Sequence, residues 1–189
     1  MASVKILRDE DPGNPRKEYE NLGLMACWHG RYTLGDVQPK ERPTEWLKEH
    51  APKGSVVLPL FLFDHSGITM STSAGRFRAQ DSAGWDWGQV GNIVATPQAM
   101  KENFMTKRLT KEQKKLAEQI LQQEVRTYDQ YLQGQVWGFI YKPDKGEEDS
   151  CWGFYGDTLK DTGILDHLPA GAYELAKEAW ENRYSQQGG

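Results

Sequence analysis

The chain has 189 residues, 38% of them hydrophobic, with 23 basic and 27 acidic side chains and a formal net charge of −4. That length suits one domain, and the charge is too small and too mixed in sign for bulk attraction to a nucleic-acid backbone or for mimicry of one. Two cysteines exclude a disulfide framework, and the longest apolar run, VVLPLFLF at 56–63, is far short of the roughly 20 residues a membrane helix needs.

The N-terminal stretch MASVKILRDEDPG turns acidic early and has no apolar segment of secretory-leader length. With two thiols and no staples, the expectation is a cytoplasmic protein with no membrane partner. In chain order, Val4 to Leu7 predicts a short strand, and DEDPGNP at 9–15 is turn chemistry. LGLMACWHGRYTL then alternates, with Leu24, Ala26, Trp28 and Tyr32 on one face and Met25, Cys27, His29 and Arg31 on the other. Thr44 to Glu49 predicts a helical turn after Pro43, and SVVLPLFLF, apolar on both faces, predicts a central strand in which Pro59 demands a bulge or a missing ladder bond. Asp64 to Gly67 turns that strand back into ITMST, and QVGNIVA supplies another strand after a Gly and Trp cluster at 84–88.

Thr96-Pro97 opens a short helix, because threonine caps and proline suits the first turn. Thr110 to Gln113 matches a capping box, and Leu116, Ile120, Leu121, Val125, Tyr128 and Leu132 follow as an apolar stripe that ends before Gly134. QVWGFIYKPDKGEEDSCWGFYG predicts a hairpin, and Pro169 to Tyr184 a C-terminal helix. This order of elements argues for an α+β fold, a single domain over 1–189 with a mainly antiparallel sheet and helices packed on one face.

Asp64-His65 has the residue types of an acid that orients an imidazole, with Cys27 or Cys151 as nucleophile and His29 as an alternative base. Neighbours on a strand point to opposite faces, so the simpler expectation is that Asp64 accepts backbone N–H groups of the Ser66-Gly67 turn. Cys27, His29, His65 and Cys151 have the composition of a zinc site but lack the close spacing that fixes half of one, so no metal is expected. Asp36, Asp64, Asp81 and Asp86 would serve a divalent cation only if they converged, and each more simply holds a turn. Nucleotide and hydrolase fingerprints are absent from the sequence, so no cofactor is expected.

AGWDWGQVG at 83–91 flanks an aspartate with two tryptophans between glycines, which suits either a surface loop presenting rigid aromatic area or a lid folded over the sheet. From Lys101 to Lys115, basic residues outnumber acids. Lys107, Arg108, Lys111, Lys114 and Lys115 give that stretch the look of a solvated face or a nucleic-acid contact.

The strings NLGLMACWHGRYTLGD, LPLFLFDHSGITMS and WDWGQVGNI together resemble an uncharacterised family of small proteins encoded by bacteriophages and prophages. A weaker match runs through Thr127-Tyr128-Asp129 and Cys151 to Gly156, and Trp87 stands where the family pattern has a smaller residue. The resemblance implies a phage-borne accessory protein of the bacterial host cytoplasm and carries no assigned catalytic residue. Such an origin suits stoichiometric binding of a host or phage macromolecule, in the form of a counter-defence (anti-CRISPR-like) inhibitor, and the aromatic loop itself offers the surface, with Trp85, Asp86 and Trp87 in contact and His29, Arg31 and Asp64 on the rim. The alternative is an enzyme, a Cys/His/Asp hydrolase or a metal-dependent enzyme acting on nucleic acid, with His29, Asp64, His65 and Asp86 lining one cavity. The lack of a reaction motif leans against it.

Overall fold

The computed structural model describes residues 1–184. In chain order the elements are β1 (Ser3–Arg8), α1 (Pro15–Glu18), β2 (Leu24–Cys27), α2 (Pro43–His50), β3 (Val56–Asp64), β4 (Ile68–Ser71), α3 (Gly75–Gln80), β5 (Trp87–Ala95), α4 (Pro97–Asn103), α5 (Lys111–Leu132), β6 (Val136–Lys142), β7 (Asp149–Tyr155), α6 (Leu159–Thr162) and α7 (Tyr173–Glu181), with 3-10 turns at Ile164–His167 and Ala170–Ala172. They form an α+β fold with two antiparallel sheets, in strand order β1-β6-β7 and β2-β5-β3-β4. The chain groups into two compact units, one of Met1–Asn14 with the chain from Gln130 on, the other Pro15–Asp129.

In the first unit the expected hairpin pairs β6 with β7, and β1 adds to the free side of β6 with Ile6 opposite Phe139. Val4, Ile6, Trp137, Phe139 and Phe154 form an apolar floor covered by Ile164, Leu168 and α7. Ala172, Ala176 and Ala179 recur at helical spacing and are buried, and their small side chains let α7 lie close to β1. The Trp137 indole donates to the Gly156 carbonyl at 2.9 Å and meets Trp180 edge-on, with centroids 5.0 Å apart. Helices therefore cover one face of this sheet. Where α5 ends, Gly134 takes a positive φ of 63°, and Arg8 donates to the carbonyls of Gln133 and Gly134 at 2.8 and 2.7 Å.

In the second unit β3 is central, as its two apolar faces require, and the bulge Pro59 demands lies between Leu60 and Phe61. Gly91 faces β2 so closely that a Cβ there would sit 2.2 Å from the Ala26 carbonyl oxygen, so only glycine lets this pair of strands form. One side of the sheet meets α5, where Leu121 reaches Ile93 and Gly23. The other side meets α2, whose Trp46 packs with Ala26 and Val94. The capping box at the start of α5 forms, with the Gln113 amide donating to Thr110 Oγ1 at 3.2 Å and the Thr110 amide to Gln113 Oε1 at 3.0 Å. Its buried stripe begins at Ala117 and runs through Leu121, Val125 and Tyr128. Leu116, expected in that stripe, is 45% exposed, since it lies one position off the face that meets the sheet.

Two further departures matter for the site. The strand expected through Leu34 stops at Cys27, because the Asp36 carboxylate takes the Met25 amide at 2.7 Å and folds the following loop back along β2. The helix α3 forms from a stretch with no helical periodicity, drawn in by Phe77, which is fully buried and stacks on Phe63 at 5.6 Å.

Arg16 organises the loops of this unit. Its side chain is 2% exposed, and all five guanidinium N–H groups find acceptors. Nε donates to Asp36 Oδ1 at 3.0 Å, Nη2 to Asp36 Oδ2 at 2.5 Å and to the Gly23 carbonyl at 2.6 Å, and Nη1 to Asn21 Oδ1 at 2.9 Å and Glu124 Oε2 at 3.0 Å. Glu124 on α5 also accepts the Leu22 amide at 2.6 Å, so one cation ties α1, the entry to β2, the loop at 36 and α5. Burial works against the charge, but the bonds to Asp36 and then Glu124 outweigh it and raise the Arg16 pKa above its ordinary value. Arg16→Ala leaves two carboxylates without their cation and is expected to cost about 3–5 kcal/mol in chemical denaturation. An Arg16→Ala loss below about 1 kcal/mol would show that water replaces the guanidinium at little cost.

Candidate functional site

The hairpin β3–β4 and the start of β5 bring together most of the side chains singled out in the sequence. Asp64 does not cap the Ser66-Gly67 turn. Its Oδ2 accepts from the Arg31 guanidinium and its Oδ1 from the Tyr32 hydroxyl at 3.3 Å, because the loop after β2 folds across the end of β3. The turn closes on its own backbone, with the His65 amide donating to the Gly67 carbonyl at 3.1 Å and Ser66 at a φ of 56°. The Arg31 guanidinium also lies 5.5 Å from the Tyr32 ring centroid.

His29, the alternative base of the sequence reading, is held within its own loop. Its Nδ1 accepts the Arg31 and Tyr32 amides at 3.3 and 3.2 Å, which fixes the proton of the neutral ring on Nε2, and the ring stacks on Tyr32 with centroids 4.9 Å apart. His65 pairs instead with Asp86. Its Nδ1–H donates to Asp86 Oδ2 at 3.1 Å, and the Asp64 amide donates to the Asp86 carbonyl at 2.7 Å. A carboxylate on Nδ1 orients the imidazole and leaves Nε2 as the acceptor or base. With the His65 side chain 66% and Asp86 40% exposed, the pair stands on an open surface.

The loop of Trp85 and Trp87 is shaped by Asp81. Asp81 Oδ1 accepts the Ala83 and Gly84 amides at 3.0 and 3.1 Å, Oδ2 accepts the Asp86 amide at 2.9 Å, and its carbonyl accepts the Trp87 indole N–H at 2.9 Å. These backbone donors, that of Asp86 foremost, hold the Asp81 carboxyl below the usual carboxylate range. The two tryptophans part company. Trp87 turns inward, edge-on to Phe61 at 6.2 Å with the Arg78 guanidinium 5.8 Å over its ring, whereas Trp85 is 88% exposed. The two rings do not form a lid together: Trp87 begins β5 and packs on its own sheet, and Trp85 stands in solvent.

The remaining candidates lie elsewhere. Cys27 is buried on β2 and its thiol is pushed up to about 12, by burial first and then by the Asp36 charge, with Arg16 opposing. Cys151 is exposed on β7 in the first unit. Asp36 is held by Arg16, Asp81 by its loop and Asp64 by Arg31 and Tyr32. Among the described residues no three His, Cys, Asp or Glu side chains are grouped to hold a metal ion. Lys107, Arg108, Lys111 and Lys115 are exposed along the connection from α4 into α5. Sequence reasoning missed Tyr32 as a partner of Asp64, and it missed Arg16 altogether. An arginine beside Pro15 in a charged turn gives no sign of burial.

No protein-family model matches the chain, and no curated protein or solved structure is significantly similar to it.

Two outcomes follow. Asp81→Ala is expected to speed hydrogen exchange at the amides of Ala83, Gly84 and Asp86. In the wild type the same protection, present above the ordinary aspartate pKa, is expected to fail only as pH falls below that range, because the folded pKa is depressed. Native-state alkylation is expected to label Cys151 and leave Cys27 unmodified until the chain is unfolded; mass spectrometry of the labelled peptides reads the order.

Proposed function

We propose that this protein acts by stoichiometric binding to a host or phage macromolecule, with Trp85 as the anchor of the contact surface. The observation that carries this reading is the 88% exposure of Trp85 on a loop whose backbone Asp81 already holds. A large flat ring on a pre-ordered loop loses little conformational freedom when it is covered, which is why tryptophan is frequent among interface hot spots. Its neighbours suit a polar rim: Asp86 carries His65, and Asp64 carries Arg31, whose side chain is 72% exposed.

An enzymatic reading has less behind it. The Asp86–His65 pair has the form of an oriented base, but a thiol held near 12 at Cys27 is no nucleophile at neutral pH, and Asp64 already neutralises Arg31. A counter-defence role, in the manner of an anti-CRISPR inhibitor, draws its support from the sequence resemblance to phage and prophage proteins.

Affinity capture from phage-infected and lysogenic cells, quantified by mass spectrometry, tests the reading with wild type beside single variants. Trp85→Ala is expected to leave the thermal midpoint unchanged and weaken retention of one specific partner by about 2 kcal/mol or more, roughly 30-fold. Trp87→Ala is expected to lower the midpoint instead, since that ring is packed against Phe61. A partner set indifferent to Trp85→Ala would remove this loop from the interface.

A further inference from the structure

On the same unit, α2, the β2–β5 pair and α4 enclose an open groove of about 770 Å³, a volume within the range of small-ligand and side-chain pockets. Its floor is aliphatic. Leu24 and Val94 face each other across the β2–β5 register, with Pro52 and Pro97 beside them, and Leu24 is left 39% exposed although it belongs to a strand. The wall at His50 is rigid, since the ring lies flat on Trp46 with centroids 4.3 Å apart and its Nδ1–H donates to the Trp46 carbonyl at 3.0 Å.

Lys101 lines the groove, and more cations follow it along the chain from α4 into α5. Lys114 brings its ammonium to the groove's edge: a Cβ on Gly54 would lie 3.5 Å from both Lys114 Nζ and Pro97 Cγ. Lys107, Arg108, Lys111 and Lys115 follow, and among the described residues none of the six has an ion-pair partner. The acids are fewer: Glu49 also lines the groove, Glu102 accepts from Gln98 Nε2 at 3.0 Å, Glu112 bonds to Thr110, and Glu118 is exposed on α5. Six cations against four acids leave a positive excess beside an open aliphatic floor, which a partner bringing carboxylates and an apolar side chain together would complement.

We infer that this groove and the basic surface running from it form a docking site for an acidic peptide segment of a protein partner. An aliphatic side chain of that segment rests on Leu24 and Val94, and its carboxylates face Lys101, Lys114 and the cations beyond. Nucleic acid fits the charge, but the floor is aliphatic, and His50, the groove's one aromatic ring, already has a face covered by Trp46, so the lining offers bases little on which to stack. This site is independent of the surface around Trp85.

Fluorescence anisotropy on the full chain tests it with three labelled probes: a glutamate-rich peptide of roughly a dozen residues carrying two leucines, the same peptide with serines for the leucines, and single-stranded DNA of matched charge. The leucine peptide is expected to bind saturably and several-fold more tightly than the serine peptide, and more tightly than DNA. The double variant Lys101→Glu, Lys114→Glu is expected to weaken it about tenfold or more. Leu24→Asp, at a half-exposed position, is expected to abolish the difference between the two peptides, and Trp85→Ala to leave both affinities unchanged. Equal binding of the two peptides by wild type, tighter binding of DNA than of either peptide, or no saturable binding of the leucine peptide would each overturn the proposal.

Discussion

A guanidinium withdrawn from water keeps its charge only if every N–H it turns inward meets an acceptor, and in the unit Pro15–Asp129 Arg16 meets five. Its partners come from four places in the chain, at Asn21, Gly23, Asp36 and Glu124, so the bonds can form only when α1, the entry to β2, the loop that follows β2 and α5 have all arrived. The strand β2 is short for the same reason. Asp36, held by Arg16, takes the amide of Met25 and turns the chain back, and the returning loop carries His29, Arg31 and Tyr32 to the end of β3. The surface at Asp64 is thus a consequence of a charge pair buried well inside the unit.

Acids do the same kind of work elsewhere. Asp129, 6% exposed near the end of α5, accepts the Met70 amide at 2.6 Å and lies 3.8 Å from Arg76, which joins α5 to β4 and α3. Asp81 gathers three amides and sets the loop from which Trp85 projects. In each case a carboxylate replaces water around backbone donors that the strands and helices leave unpaired, a cost that would otherwise fall on the fold. Carboxylates committed in this way are poor candidates for proton transfer, and toward solvent stand the Trp85 indole, the Arg31 guanidinium and the His65 imidazole with Asp86 beside it.

The regular elements were legible wherever one physical signal dominated. The strand at QVGNIVA after its Gly and Trp cluster, the capping box at Thr110, proline at Pro97 and the paired aromatic runs of the β6–β7 hairpin each correspond to an element that forms, and Pro59 marks a bulge one residue on. Errors arose where a tertiary contact overrode the local pattern. The alternating run from Leu24 gives way at Cys27 to a loop held by Asp36, Phe77 buries a helix with no periodic signature, and Ala117 rather than Leu116 heads the stripe of α5. For the site, the cavity expected of His29, Asp64, His65 and Asp86 is instead an open surface with two separate pairings. Asp64 belongs with Arg31 and Tyr32, and His65 with Asp86.

By itself the sequence determined the α+β class, the antiparallel pairing of its clearest hairpins, and the pool of aromatic and ionisable side chains from which any surface had to be drawn, because period and turn chemistry are local properties of a chain. Only the tertiary structure decided which of two neighbouring tryptophans faces water, which carboxylate meets which cation, and that an arginine beside Pro15 lies buried. Those outcomes depend on contacts between residues as far apart as Arg16 and Glu124, and the free energy of desolvating a charge is set by the partners that surround it, which no window of sequence contains.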